Sequence, residues 1–169
     1  MRDKDVFKPV PRTVEKAAVK KNEGSANAQK TSARLAAVQV LYQMRLNNQD
    51  AQSAVREFIK HRVGFNIDGD VLVPADPDML ESIVMGVHGR WTDVEEIVAG
   101  ALAAGRKGAV ETLLDAVLRC GTWELLENAS ADTGVIINDY MNVTTSFYDG
   151  TETKLVNAVL DKIAKTVRG

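Results

Sequence analysis

Two histidines, one cysteine and two carboxylate pairs are the side chains of this sequence best suited to chemistry. His61 and His88 fall on separate helical segments, with no cysteine or paired carboxylate at ligand spacing, which argues against a zinc site. Cys120 stands alone, so neither an internal disulfide nor a thiolate zinc cluster can form, and its helical neighbours make it a packed apolar residue. GVHG (86–89) and GRKG (105–108) lack both the strand-turn-helix context and the spacing of a phosphate loop. Glu95-Glu96 and Glu124-Glu127 read as exposed helix faces, and nothing has the form of a nucleophile elbow. No catalytic residue, metal or cofactor is expected.

Polar residues inside apolar runs raise a different possibility. GVIINDYMNV (134–143) carries Asn138 and Asp139, and KLVNAVLD (154–161) carries Asn157. A buried amide without a partner costs about 1–3 kcal/mol, so each must face water or be bonded. At about 100° per residue, Asn138 points nearly opposite the stripe of Ile136, Tyr140 and Phe147, and Asn157 flanks that of Val156, Leu160 and Ile163. Both are expected at junctions between helices, bridging backbone groups as structural residues.

The elements that must hold these residues are helical from residue 31 onward. Thr31 or Ser32 can cap a helix with Leu35, Val38, Leu41 and Tyr42 on one face, and Asp50 a second with Val55, Phe58 and Ile59. VGFNIDGDVLVPADP (63–77) breaks the pattern and predicts a long excursion with a brief extended stretch at Val71 to Val73. Asp76 before Pro77 is the order of an N-cap and first helical residue, followed by Leu80, Ile83, Val84, Val87 and Trp91. Thr92 or Asp93 restarts the chain as a fourth helix, ended by AAGRKG. Val110, Leu113, Leu114, Val117, Leu118, Gly121 and Leu125 recur at three- and four-residue steps and predict a central fifth helix. Asp132 or Thr133 opens a sixth, and YDGTE turns into a seventh. No segment alternates as a sheet strand would, so the predicted class is all-α.

The 169 residues carry a formal charge of −2 that is unevenly spread. Residues 1–30 hold eight Lys/Arg against four acids, and residues 31–169 hold thirteen against nineteen. The chain therefore divides into a basic arm, 1–30, expected to be disordered when free, and a helical domain, 31–169. Such an arm either adds attraction for phosphate or serves as a solubilising leader. No run of eighteen apolar residues spans a membrane, and MRDKDVFKPVPR lacks a signal peptide's apolar stretch. A cytoplasmic protein is expected.

LLDAVLRCGTWELL, then VIINDYMNVTTSF, then LVNAVLDKIA resemble, in order and spacing, the ILR…YEL, INE and VNGVLD patterns of the NusB family of transcription antitermination factors. SARLAAVQVLYQM is similar to that family's first helix, and the likeness runs over roughly 31–168. It implies two small perpendicular three-helix bundles with an additional helix, and no catalysis. It also implies binding of single-stranded boxA-type RNA together with NusE, a ribosomal small-subunit protein. Other Nus factors and RNA polymerase would be reached indirectly, during ribosomal RNA synthesis.

Carried over, the resemblance gives Lys30, Arg34, Arg119 and Lys154 as RNA-binding positions, and Glu111 and Leu114 on an outer edge as partner-binding positions. Solvated faces at Lys30 and Arg34, and an ion pair of Arg119 with Glu111 or Asp115, are the structural alternatives. The chain departs from the family's pattern at QKTSAR, where arginines cluster in relatives, at Leu155, where an aromatic is common, and at Ala158, where glycine follows the asparagine. These departures imply RNA binding that leans on the partner and the arm. The alternative is a protein-interaction or homodimerising module with weakened RNA binding. Similar domains also precede ribosomal RNA methyltransferases, but no Rossmann-type alternation is present to hold S-adenosylmethionine.

Overall fold

The structure is a computed structural model that describes residues 25–61, 66–67, 70–71, 73–102 and 110–169. Among these the chain forms α1 (Ala26–Asn47), α2 (Ala51–His61), β1 (Asn66–Ile67), β2 (Asp70–Val71), α3 (Pro77–Gly89), α4 (Trp91–Leu102), α5 (Thr112–Glu127), α6 (Thr133–Thr145) and α7 (Gly150–Val167). The class is all-α as expected. The only strands among the described residues are the antiparallel pair Asn66↔Val71 and Ile67↔Asp70, inside the 63–77 excursion.

Local chemistry sets the helix starts. Asp50 Oδ1 accepts the Ser53 N–H at 3.0 Å and Asp76 Oδ1 the Met79 N–H at 3.1 Å, so both aspartates cap as the sequence predicts. The Ser53 backbone bond is the chief reason the Asp50 carboxyl sits below its ordinary range. Two starts differ from expectation. α4 begins at Trp91, directly after Arg90. α1 begins at Ala26, where Ser25 Oγ accepts the Ala28 N–H at 3.1 Å. ANAQK contains no helix breaker, and the Thr31 hydroxyl bonds to Asp139 instead of capping. Residues 26–30 therefore belong to the helical body, and the disorder expected for the rest of the arm lies outside the described residues.

Packing divides the helices into two groups of three. α1, α2 and α3 all touch one another, as do α5, α6 and α7, while α4 is the additional helix, packed on α5 and α7. α1 and α5 meet across the groups and are buried nearly all round: Ala33, Ala37 and Val38 on one and Val117, Leu118 and Cys120 on the other are 0% exposed. The fifth helix is central as predicted, but α1 shares the centre. Leu35 and Tyr42, expected on its core face, are only half-buried. Ala33, Ala36 and Ala37 join Val38 and Leu41 in the buried surface, their small side chains letting four neighbouring helices approach.

Two glycines show how closely elements meet. A Cβ at Gly121 would stand 2.8 Å from Leu160 Cδ1, so α7 can press against α5 only where a side chain is missing. A Cβ at Gly86 would stand 2.1 Å from Trp123 Cε2, so α3 offers a notch that seats the indole. At the C-terminus Arg168 acts as a clamp. Its guanidinium donates to the carbonyls of Leu125 (2.8 Å), Asn128 (2.7 Å) and Ala131 (2.8 Å), satisfying groups left open past the end of α5.

Candidate nucleic-acid interface

Three charged residues, one from each of three helices, face inward and find each other. Arg34 of α1 donates to Glu124 of α5 through Nε (2.7 Å) and Nη2 (2.8 Å), and to Asp139 of α6 through Nη1 (2.6 Å). Arg34 is 3% and Glu124 0% exposed, so the fork is a buried, charge-assisted pair. Glu124 also accepts from the Tyr140 hydroxyl at 2.6 Å and the Asn128 amide at 2.8 Å, which occupies the roughly four acceptor positions of a carboxylate. Thr31 donates to the other oxygen of Asp139 at 2.9 Å. Burial acts to lower the Arg34 pKa, but the bonds and charges of Glu124 and Asp139 outweigh it, and the guanidinium stays charged above its ordinary range. Burial, and then the neighbouring Glu124 charge, push the Tyr140 hydroxyl well up, which keeps it a donor.

This seam locks α1 in rotation and register against α5 and α6. Lys30, one turn ahead of Arg34, is exposed and stands at the edge of an open cleft of about 900 Å³. The cleft lies where the beginnings of α1, α3 and α6 meet the end of α5. Met79, Ile83, Trp123 and Val135 supply its apolar lining, and Asn138 projects into it. Five carboxylates (Asp76, Glu124, Glu127, Asp132, Asp139) against two cations (Lys30, Arg34) leave the lining at −3.

Two of the expected RNA positions are exposed and two are not. Lys30 and Lys154 lie on the surface. Arg34 is a buried structural cation, with Nε and both Nη groups already donating, so it has no face to offer a phosphate. Arg119 is 4% exposed: Nε donates to Asp115 at 2.6 Å, Nη2 reaches Glu95 at 3.3 Å, and the guanidinium stacks 4.0 Å from the Trp91 ring centre. The ion-pair reading of Arg119, with Asp115, is the one the geometry supports.

The partner and junction positions also shift. Glu111 is exposed and accepts from the Tyr148 hydroxyl at 2.6 Å. Leu114, expected on an outer edge, is 3% exposed and belongs to the core; α5 is surrounded by five helices and has little outer edge there. Asn138 and Asn157 are both exposed and carry no side-chain bond among the described residues, so neither is a junction. Asn157 shares a face with Lys154, three residues earlier. The true junction residue is Asp139, and Glu124, read from sequence as a plain exposed face, is completely buried. A signal for both existed: Glu124 is seven residues past Val117 and Asp139 three past Ile136, on the very stripes that defined their helices.

His61, His88 and Glu96 are exposed, and no group of three or more His, Cys, Asp or Glu is positioned to hold a metal ion among the described residues. No helix among them is long and apolar enough to cross a membrane.

Fold and site together define a helical scaffold whose charges are spent on internal seams and on surface contact. Residues 31–165 match the NusB family. The chain is 42% identical over 142 residues to the transcription antitermination protein NusB of Agrobacterium fabrum, covering 83% of this chain and 86% of that one. Its counterpart in Rhizobium rhizogenes is 40% identical over 142 residues, 83% of this chain and 89% of the relative. The fold matches that of T. maritima NusB with a TM-score of 0.65 at 18% identity, over 80% of this chain and 90% of that one. The chain belongs to the NusB family, whose members named here are transcription antitermination proteins.

Proposed function

We propose that the protein is an antitermination factor that binds boxA-type single-stranded RNA together with NusE, and through it joins other Nus factors and RNA polymerase in the cytoplasm. Its role is binding, with no reaction step. The observation that carries this reading is the exposed Lys30, carried on a helix whose register is set because Arg34 one turn later is pinned from two helices. A cation and an exposed amide, Asn138, lining one cleft suit the contact of a phosphate and a base edge in unpaired RNA. Lys154 and Asn157 repeat that pairing on α7.

Fluorescence anisotropy with boxA and scrambled RNA, with and without NusE, across a salt series tests it. The expected result is preferential boxA binding that tightens with NusE and weakens as salt rises. Equal affinity for the two RNAs would overturn it. A second reading, a protein-interaction or homodimerising module with little RNA affinity, draws on the net negative cleft and on Leu46, 60% exposed at the far end of α1. Under that reading the chain would bind NusE or itself, and neither RNA.

A further inference from the structure

The cleft beside α1 has properties that contact with RNA does not use. Outside the buried Arg34 seam its carboxylates, Asp76, Glu127 and Asp132, outnumber its one cation, Lys30, and part of its apolar lining meets solvent. Val135, 54% exposed, is one of the two exposed large hydrophobic residues among those described, and the half-buried indole of Trp123 lies in the same lining. Of the rim carboxylates, Asp132 is exposed and makes no side-chain bond even to the helix it precedes. An acidic rim over an aromatic and aliphatic floor suits an apolar peptide carrying cations.

The chain itself carries such a peptide. Residues 6–14 read VFKPVPRTV: four apolar side chains, two prolines, Lys8 and Arg12, and no acid. Prolines at 9 and 11 bias the segment towards an extended backbone, which lowers the entropy lost on docking into an aromatic-lined groove. The chain enters α1 at Ser25, and Asn27 and Lys30 already line the cleft, so the segment is tethered at the cleft's own edge. Residues 15–24 lie between. Ten residues span up to about 33 Å extended and about 18 Å as a flexible coil, enough to turn back, with an effective concentration on the order of millimolar.

We propose that the cleft is the docking site of the chain's own segment 6–14, with Phe7 and the prolines against Trp123 and Val135, and Lys8 and Arg12 against the acidic rim. The consequence for nucleic acid rests on the function proposed above: two added cations offset the acidic rim and make the surface beside Lys30 more receptive to phosphate.

The full-length chain tests this without RNA, so its failure is separate from failure of the RNA reading. Thr13→Cys provides a spin-label site, since the native Cys120 is 0% exposed and does not react. The expected result is selective loss of NMR intensity at the Trp123 indole N–H and the amides of Gly134 and Val135. The amide of Leu46, sixteen residues along α1 from Lys30 and thus about 24 Å away, should be spared. Lys8→Glu with Arg12→Glu, or about 1 M salt, should restore the lost intensity. Uniform broadening, none, or broadening indifferent to charge reversal would overturn the proposal. So would broadening seen only when labelled and isotope-enriched chains are mixed, which would assign the cleft to a second copy.

Discussion

Replacing Glu124 with glutamine changes no shape and removes one charge, yet it should be among the most damaging substitutions in the protein. The carboxylate receives four donors: Arg34 Nε and the Tyr140 hydroxyl on Oε2, Arg34 Nη2 and the Asn128 amide on Oε1. A glutamine keeps one oxygen and turns an NH2 towards the other two donors. Two buried donors then lose their acceptor, each at about 1–3 kcal/mol. Arg34 keeps only Asp139, at 2.6 Å, to balance its charge. Breaking a buried pair costs about 3–5 kcal/mol, so a loss of about 4 kcal/mol is expected. That is a large part of a stability of about 5–15 kcal/mol, and lowers Tm by about 10 °C in a domain of this size. Glu127, three residues on, is exposed and pairs with Arg90 at the surface; Glu127→Gln should cost at most about 1 kcal/mol. Urea unfolding and calorimetry of both variants compare them. A loss below about 1 kcal/mol in Glu124→Gln, or equal losses in the two, would refute the reasoning that the seam is a bonded, buried network.

Gly86→Ala gains about 1 kcal/mol in helix propensity, but its methyl would meet Trp123 Cε2 at 2.1 Å, so net destabilisation of about 1–2 kcal/mol is expected from overpacking, with a red shift of indole emission. Gly100→Ala, with nothing within 4 Å, should stabilise; denaturant midpoints measure both. Tyr140→Phe should cost about 1–2 kcal/mol at neutral pH by leaving Glu124 short of a donor. Because the Tyr140 pKa is raised above the ordinary value of 10.0, its contribution is complete below that pH and is lost as pH climbs. The stability gap between wild type and Tyr140→Phe should therefore be constant up to about pH 9 and narrow above pH 10, measured by urea unfolding. Lys30→Ala should reduce the salt slope of RNA binding by about 0.7, whereas Arg45→Ala, whose guanidinium is paired with Asp115, should leave it unchanged.

The helices were legible because apolar residues at three- and four-residue steps report burial directly, and Asp50 and Asp76 announce their caps. The likeness of LLDAVLRCGTWELL, VIINDYMNVTTSF and LVNAVLDKIA to one family carried the fold further than periodicity alone. The start of α1 was misread because composition assigned Gln29 and Lys30 to the arm, while Ser25 was available as a cap. The site was harder to read. Arg34 and Glu124 read from sequence as outward, and Asp139 only as a polar residue needing water or a partner, although each lies on an inward stripe; only three helices brought together reveal that they neutralise one another. Asn138 and Asn157 were misplaced for the converse reason. Amides among apolar letters suggested a junction, but the helical angle already pointed Asn138 away from the core. Leu114 could not be assigned from α5 alone, since its burial depends on how many helices surround that element.

The proposed role, binding boxA-type RNA to permit transcription past a terminator, is tested most directly by transcription in vitro. A template carrying a boxA element ahead of a terminator is transcribed with NusE and the other Nus factors, with and without this protein. The account predicts that terminator read-through rises when the protein is added, requires boxA, and falls in Lys30→Glu. Read-through that is unchanged by the protein, or indifferent to boxA, would contradict it.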